Sequence, residues 1–206
     1  GDLGKRQGWW GSTMPYPRVI PHGDGAGTID AVGAGVDPSR IGERVWVYLA
    51  QSYRPFGTAA EYTVVPSPHA VVLPDSVPDE QAAGLGIPGI TAHRAVFADG
   101  SVTGKRVVVT GALGAVGRAA VAVARRGGAI VIGTVRGADQ VEAAVAAGAH
   151  SVVATEGGDV AARILELTGG DPVDRVAELA FDANLATNVA ILGYGGVIAT
   201  YATGST

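Results

Sequence analysis

The sequence predicts an α/β fold in which a doubly wound parallel sheet follows a smaller β-rich module. Three observations predict it. From Lys105 onward, continuous β-branched runs alternate with Ala-rich runs of helical length, the pattern of strands buried on both faces by crossover helices. Between Gly23 and Leu73 the chain carries short Val-rich segments broken by Gly and Pro, the texture of an all-β module. The first apolar run of the second half passes through a glycine turn directly into a helical pattern.

In the first half, strands are expected at Gly27 to Val32, Glu43 to Tyr48, Ala59 to Val65 and Ala70 to Leu73. Prolines 66, 68, 74 and 78 then break the β pattern, and helices are expected over Asp79 to Ala83 and Ile90 to Phe97. The expected domains are 1–84 and 85–206. In the second, strands are placed at Arg106 to Thr110, Ala129 to Val135, Ser151 to Ala154, Arg175 to Leu179 and Gly196 to Tyr201. The helix Val116 to Arg126 follows the glycine turn. Asp139 with Glu142 reads as a capping pair for Val141 to Ala147, which Gly148 stops, and Asp159 and Gly169 bracket the next helix.

Composition narrows the function classes. Hydrophobic residues are 47 % and charged ones 17 %, with a formal net charge of −4. No block of one sign marks a nucleic-acid or membrane surface. The first ten residues have no apolar signal core, and glycines interrupt every long apolar run, so no spanning helix is expected. A cytoplasmic location is the default. Cysteine is absent, which rules out disulfides, a thiolate nucleophile and cysteine-ligated zinc within this sequence.

The segment Val107 to Gly117, V-V-V-T-G-A-L-G-A-V-G, is the most informative. N–H groups of Gly114, Ala115 and Val116 at the mouth of the helix that follows form an expected diphosphate site. Gly114 allows close backbone approach to the phosphates, and Gly117 lets the helix pack on its strand. Ala112 stands where the Rossmann fingerprint has its first glycine, with Gly111 just before it to loosen the turn. The second strand ends Gly133-Thr134-Val135-Arg136-Gly137. No carboxylate occupies Thr134 to Gly137 to bind a ribose 2′-OH, and Arg136 is placed to pair with a 2′-phosphate, so NADPH is the expected nucleotide.

Three separated stretches resemble one family. Pro21 to Gly27 (P-H-G-D-G-A-G) resembles the G-x-D-x-A-G signature of zinc-free, zeta-crystallin-type quinone oxidoreductases of the medium-chain dehydrogenase/reductase superfamily. Gly57 with Ala60-Glu61-Tyr62 is similar to their G-x-x-A-E-Y segment, and Leu85 to Pro88 with Thr91-Ala92 to the segment leading into their cleft. The resemblance implies a partial GroES-like β-rich domain joined to a Rossmann domain, with substrate between them. It also implies a piece of a longer protein that forms a homodimer when full-length, because family members carry further strands at both ends. The tyrosine that they place near Thr155 for the 2′-phosphate side is missing here.

His22 beside Gly23-Asp24 superficially resembles a G-H-E zinc motif, but the ligand position falls on Gly23. His69, His93 and His150 share no metal-ligand spacing, and no Tyr-x-x-x-Lys pair occurs. A site without metal or a positioned acid suits substrates that stabilise their own reduced form, such as quinones and enones. Trp9, Trp10 and Tyr53 are the candidate substrate contacts, since aromatic faces suit a planar quinone; Trp9 and Trp10 equally fit a hydrophobic patch covered by other sequence. Thr91 and Ala202, Thr203 and Gly204 are candidates for the nicotinamide end. Asp24 and Glu61 read as structural. Two alternatives stay open: a nucleotide-binding fragment or sensor without turnover, and an enoyl reductase module of a larger synthase.

Overall fold

The computed structural model describes residues 16–203 together with 4, 7, 8, 11 and 13. Two compact units meet in sequence between Ile87 and Pro88.

The first unit holds a three-stranded antiparallel sheet, β1 (Gly25–Thr28), β2 (Arg44–Val47) and β3 (Ala70–Val72), with β2 in the middle. Trp46 pairs with Ala26 on one side and Val71 on the other. Val45 and Val47 point to the buried side, while the alternate residues stay half-exposed, the period-two pattern of a half-buried strand. A short helix α1 (Asp79–Ala83) is tied to the sheet by the Arg44 guanidinium, which pairs with Asp79 at 2.5 Å and donates to the Val77 carbonyl at 3.0 Å.

Ala59 to Val65 does not form the expected strand. The Gly57, Thr58 and Ala59 N–H groups turn instead to the carbonyls of Ile20, His22 and Pro21. Tyr62 and Val64 are 74 % and 77 % exposed. The alternation is present, but no strand among the described residues offers this segment a ladder, and a strand is stable only with a neighbour. β1 also ends at Thr28, four residues before the expected Val32.

The second unit is a five-stranded parallel sheet in the order β6-β5-β4-β7-β8, built from β4 (Arg106–Val109), β5 (Ile130–Val135), β6 (Ser151–Ala154), β7 (Val173–Glu178) and β8 (Leu192–Thr200). The helices are α2 (Gly86–Phe97), α3 (Ala115–Arg126), α4 (Val141–Ala146), α5 (Val160–Leu167) and α6 (Phe181–Ile191). One face of the sheet packs Val107, Val109 and Val131 against Ala92 and Val96 of α2, Ala120 and Val121 of α3 and Ala144 of α4. The other packs Val108, Ile132 and Val176 against Ile164 of α5 and Ile191 of α6. Successive valines of β4 therefore bury on opposite faces. That is why this strand reads as a continuous apolar run, and each such valine contributes roughly 1.5–3 kcal/mol by burial.

Helix ends follow the expected punctuation in part. Asp159 caps α5, its carboxylate accepting from the Ala162 N–H at 3.1 Å. Asp139 instead lies in a 3-10 turn, Ala138–Gln140, and α4 begins after Gln140 with no side-chain cap. Among the described residues, no helix is long and apolar enough to cross a membrane.

Candidate functional site: the glycine turn and the switch point

The chain leaves β4 toward β5 and β6, then returns to β7 and β8 on the other side of β4. The reversal makes the C-terminal ends of β4 and β7 the switch point of the sheet, where open α/β sheets bind ligands. Thr110 to Gly117 occupies this edge.

Gly111 has φ +62°, a left-handed conformation that favours glycine. Its N–H donates to Thr134 Oγ1 at 3.2 Å, and the Ala112 N–H donates to the Thr134 carbonyl at 2.8 Å. Thr134 thus holds the turn rather than facing outward, and it is 5 % exposed. Ala112 is fully buried, and a Cβ placed on Gly133 would lie 2.9 Å from its methyl carbon. The missing first glycine of the fingerprint is accommodated because Gly133 leaves room for that methyl. Ala112 has neither a free amide nor an exposed side chain for a ligand.

Gly114 precedes α3 in extended conformation (φ −67°, ψ 166°) with no side chain to cap the helix. Its own N–H is taken by the Gly111 carbonyl at 2.9 Å, so it is not one of the open donors. The first bond into the helix runs from the Arg118 N–H to the Gly114 carbonyl at 2.8 Å. The N–H groups of Ala115, Val116 and Gly117 have no acceptor among the described residues, which shifts the expected set of three by one residue. Gly117 is buried against the turn: a Cβ there would lie 2.1 Å from the Gly111 carbonyl oxygen. Arg118, not singled out from sequence, is exposed and donates from Nε to the Leu113 carbonyl at 3.1 Å, which places a cation beside the turn. Open amides, the positive end of a 12-residue helix and an adjacent guanidinium fit a diphosphate.

At the end of β5, Arg136 is exposed and forms no ion pair among the described residues. Its backbone N–H donates to Gln140 Oε1 at 3.1 Å. Two carboxylates stand here outside the sequence window ending at Gly137: Asp139 from the next turn of chain, and Glu156, which the fold returns from the end of β6. A Cβ on Gly137 would lie 2.4 Å from Asp139 Oδ1 and 3.5 Å from Glu156 Oε2.

Beyond β8, the Ala202 and Thr203 carbonyls accept from the Phe181 and Asp182 N–H groups at 3.2 and 3.0 Å. Thr91 is half-buried in α2, next to the fully buried Ala92. Tyr53 is 89 % exposed, with φ +52° in a loop of the first unit. Trp9, Trp10 and Gly204 lie outside the described residues. In the same unit Asp24 Oδ2 accepts from the Ile87 N–H at 2.9 Å at the start of α2, a role in holding that turn.

The site also contains a buried carboxylate. Glu178 ends β7 with no exposure and accepts from Thr110, Asn184 and Asn188. Its neighbour Tyr201 has its phenol pushed up to about 12, by burial first and then by the Glu178 charge. A glutamate inside the run Val173 to Ala180, followed by asparagines four apart on a helix, was the available signal.

Residues 115–206 match the zinc-binding dehydrogenase family, and residues 1–75 match the alcohol dehydrogenase GroES-like domain family. The chain is 34 % identical over 186 residues to a quinone oxidoreductase of Rattus norvegicus, covering 89 % of this chain and 54 % of the relative. The chain belongs to the quinone-oxidoreductase branch of the medium-chain dehydrogenase/reductase superfamily. It spans about half the length of the curated relatives it matches. Membership implies a nicotinamide dinucleotide on the Rossmann unit. Solved structures of both nucleotide types are similar. An NAD-dependent alcohol dehydrogenase aligns at TM-score 0.87 with 27 % identity, over 99 % of this chain and 67 % of its own. A mycobacterial protein in complex with NADPH aligns at 0.80 with 29 % identity, over 98 % and 61 %. The family description mentions zinc, but this chain has no cysteine. Among the described residues, no group of three His, Asp or Glu side chains could hold a metal.

Proposed function

We propose that this chain is part of an NADPH-dependent reductase of quinones or other conjugated carbonyls that works without a metal. The observation that carries this is the open amide set of Ala115, Val116 and Gly117 behind a glycine turn at the sheet's switch point. The named activity of the similar quinone oxidoreductases supports it. A bound nicotinamide dinucleotide supplies a hydride to an electron-poor carbon. The chain's residues bind and orient: the three amides and Arg118 take the diphosphate, and Arg136 takes the 2′-phosphate. Thr91, Ala202, Thr203 and Gly204 are the residues assigned to the nicotinamide end. The reduced quinone or enolate delocalises its charge and takes a proton from water, so no strong acid is required. Tyr53, Trp9 and Trp10 are the aromatic contacts for the substrate ring.

Arg136 favours NADPH over NADH, and Asp139 and Glu156 beside Gly137 reduce the margin by like-charge repulsion. Enone reduction is kept within the proposal because a haloacrylate reductase and an enoyl reductase are among the similar structures, at 29 % and 25 % identity. A cytoplasmic location and a homodimer of the longer protein go with this assignment. The test combines nucleotide titration with loss of NADPH absorbance in the presence of 1,4-benzoquinone and of a simple enone. Tighter binding of NADPH than NADH, with turnover of either substrate, is expected. Tighter NADH binding overturns the role of Arg136; binding without turnover points to a nucleotide-binding fragment or sensor.

A further inference from the structure

The inference that follows rests on the dinucleotide assignment above and concerns Glu178. A buried carboxylate is costly unless its lone pairs are filled, and an apolar side chain of similar size would often serve stability as well or better. Glu178 is fully buried beside β4, yet four donors converge on it. Oε1 accepts from Thr110 Oγ1 at 3.0 Å, the Ala180 N–H at 2.5 Å and Asn184 Nδ2 at 2.9 Å, and Oε2 accepts from Asn188 Nδ2 at 2.7 Å.

These donors lead to both ends of the nucleotide site. Thr110 directly precedes Gly111; its one hydroxyl proton is shared between Glu178, the nearer acceptor, and the Ala177 carbonyl at 3.2 Å, and its oxygen accepts from the Leu179 N–H at 2.9 Å. The Leu179 side chain lies over Gly111, where an added Cβ would be 2.0 Å from Cδ2. The end of β7 therefore holds the glycine turn from one side, as Thr134 holds it from the other. Asn184 and Asn188 stand one turn apart on α6, and the first N–H groups of that helix hold the Ala202 and Thr203 carbonyls. The Tyr201 N–H donates to the Glu178 carbonyl at 3.0 Å, closing the circuit.

We propose that Glu178 is a positioning residue that locks the diphosphate turn, through Thr110, to the nicotinamide-end loop 201–203, through α6. A dinucleotide is then gripped at two places by one hydrogen-bonded frame. Asn184, Asn188 and Thr110 are parts of the same device.

The experiment compares wild type with Thr110→Val, which keeps the shape and removes the link, and Thr110→Ser, which keeps the hydroxyl. Ile164→Val, in the core of the same sheet face, serves as a destabilised control. Binding of ADP-ribose, which contains the diphosphate, and of 2′-AMP, which does not, is measured well below each melting temperature. Thr110→Val should weaken ADP-ribose about tenfold, as loss of a buried charge-assisted bond implies. Its 2′-AMP affinity should stay within about twofold, with Thr110→Ser and Ile164→Val near wild type for both. Should Thr110→Val fail to fold, Glu178→Gln keeps the volume and is expected to weaken ADP-ribose roughly threefold with 2′-AMP unchanged. Equal ADP-ribose affinity in wild type and in the folded Thr110 or Glu178 variant overturns the proposal, and so does parallel loss of both ligands. Failure of wild type to bind ADP-ribose and NADPH at all is a distinct outcome that removes the dinucleotide assignment as well.

Discussion

Replacing Gly117 with alanine tests the geometry of the turn. The added methyl would lie 2.1 Å from the Gly111 carbonyl oxygen, 2.9 Å from its carbon and 3.0 Å from Ala112 Cα. All three are backbone atoms that cannot swing away. A carbon-to-oxygen contact tolerates about 3.3 Å, so α3 must retreat from the turn by roughly 1 Å. Overpacking of this kind costs about 1–3 kcal/mol, offset by up to about 1 kcal/mol because alanine favours helix over glycine. Net destabilisation should be about 1–2 kcal/mol. The same retreat carries the Ala115 and Val116 amides off their aim. Hydrogen bonds to a charged group weaken by about 1.5–3 kcal/mol when lost, so NADPH affinity should fall by about 10- to 100-fold. The assay is calorimetric titration of NADPH beside urea denaturation. Gly33→Ala, where a Cβ meets nothing within 4 Å, serves as the silent control. A Gly117→Ala protein as stable as wild type, with unchanged NADPH affinity, would refute the close packing of α3 on the turn as the basis of the site.

Asp139→Asn should raise NADPH affinity about threefold and leave NADH nearly unchanged, because only the 2′-phosphate feels the carboxylate removed; equal changes in both titrations would place Asp139 away from that phosphate. Tyr201 titrates near 10 in the unfolded chain and about 12 in the fold. Stability is therefore unaffected by this group below pH 10 and declines between pH 10 and 12, where the unfolded state releases the proton first. The slope is at most about 1.4 kcal/mol per pH unit, less for a partly exposed ring. Denaturation of Tyr201→Phe across this range should show a shallower decline than wild type, and parallel curves would contradict it. Arg175 is 3 % exposed, donates to the Ala95 carbonyl at 2.7 Å and pairs with Asp99. Asp99→Asn should cost about 1–3 kcal/mol in urea denaturation, tempered by the solvent around Asp99, and a change below about 0.5 kcal/mol would show the pair idle.

The strands of the parallel sheet were legible because burial on both faces leaves a continuous signature. Val107 to Val109 and Ser151 to Ala154 fall where the β-branched runs put them. Ala59 to Val65 has the same local chemistry but lacks a partner strand among the described residues, a fact no window of sequence contains. The site divides in the same way. Glycine turn and helix mouth are local, so their position was readable within one residue; the error at Gly114 came from a turn bond to Gly111 that spacing does not show. Asp139, two residues beyond Gly137, was within reach of a slightly longer sequence window, whereas Glu156 meets Gly137 only after the chain has crossed from β5 to β6. Glu178 reaches Thr110 across 68 residues, and nothing in the run Val173 to Ala180 names that partner.

Backbone amide resonances give the most direct test, recorded as ADP-ribose or NADPH is added to saturation. Ala115, Val116 and Gly117 should move the most, with Gly114, already bonded to Gly111, moving less. Saturable binding that leaves those three amides unshifted would mean that the nucleotide is held elsewhere.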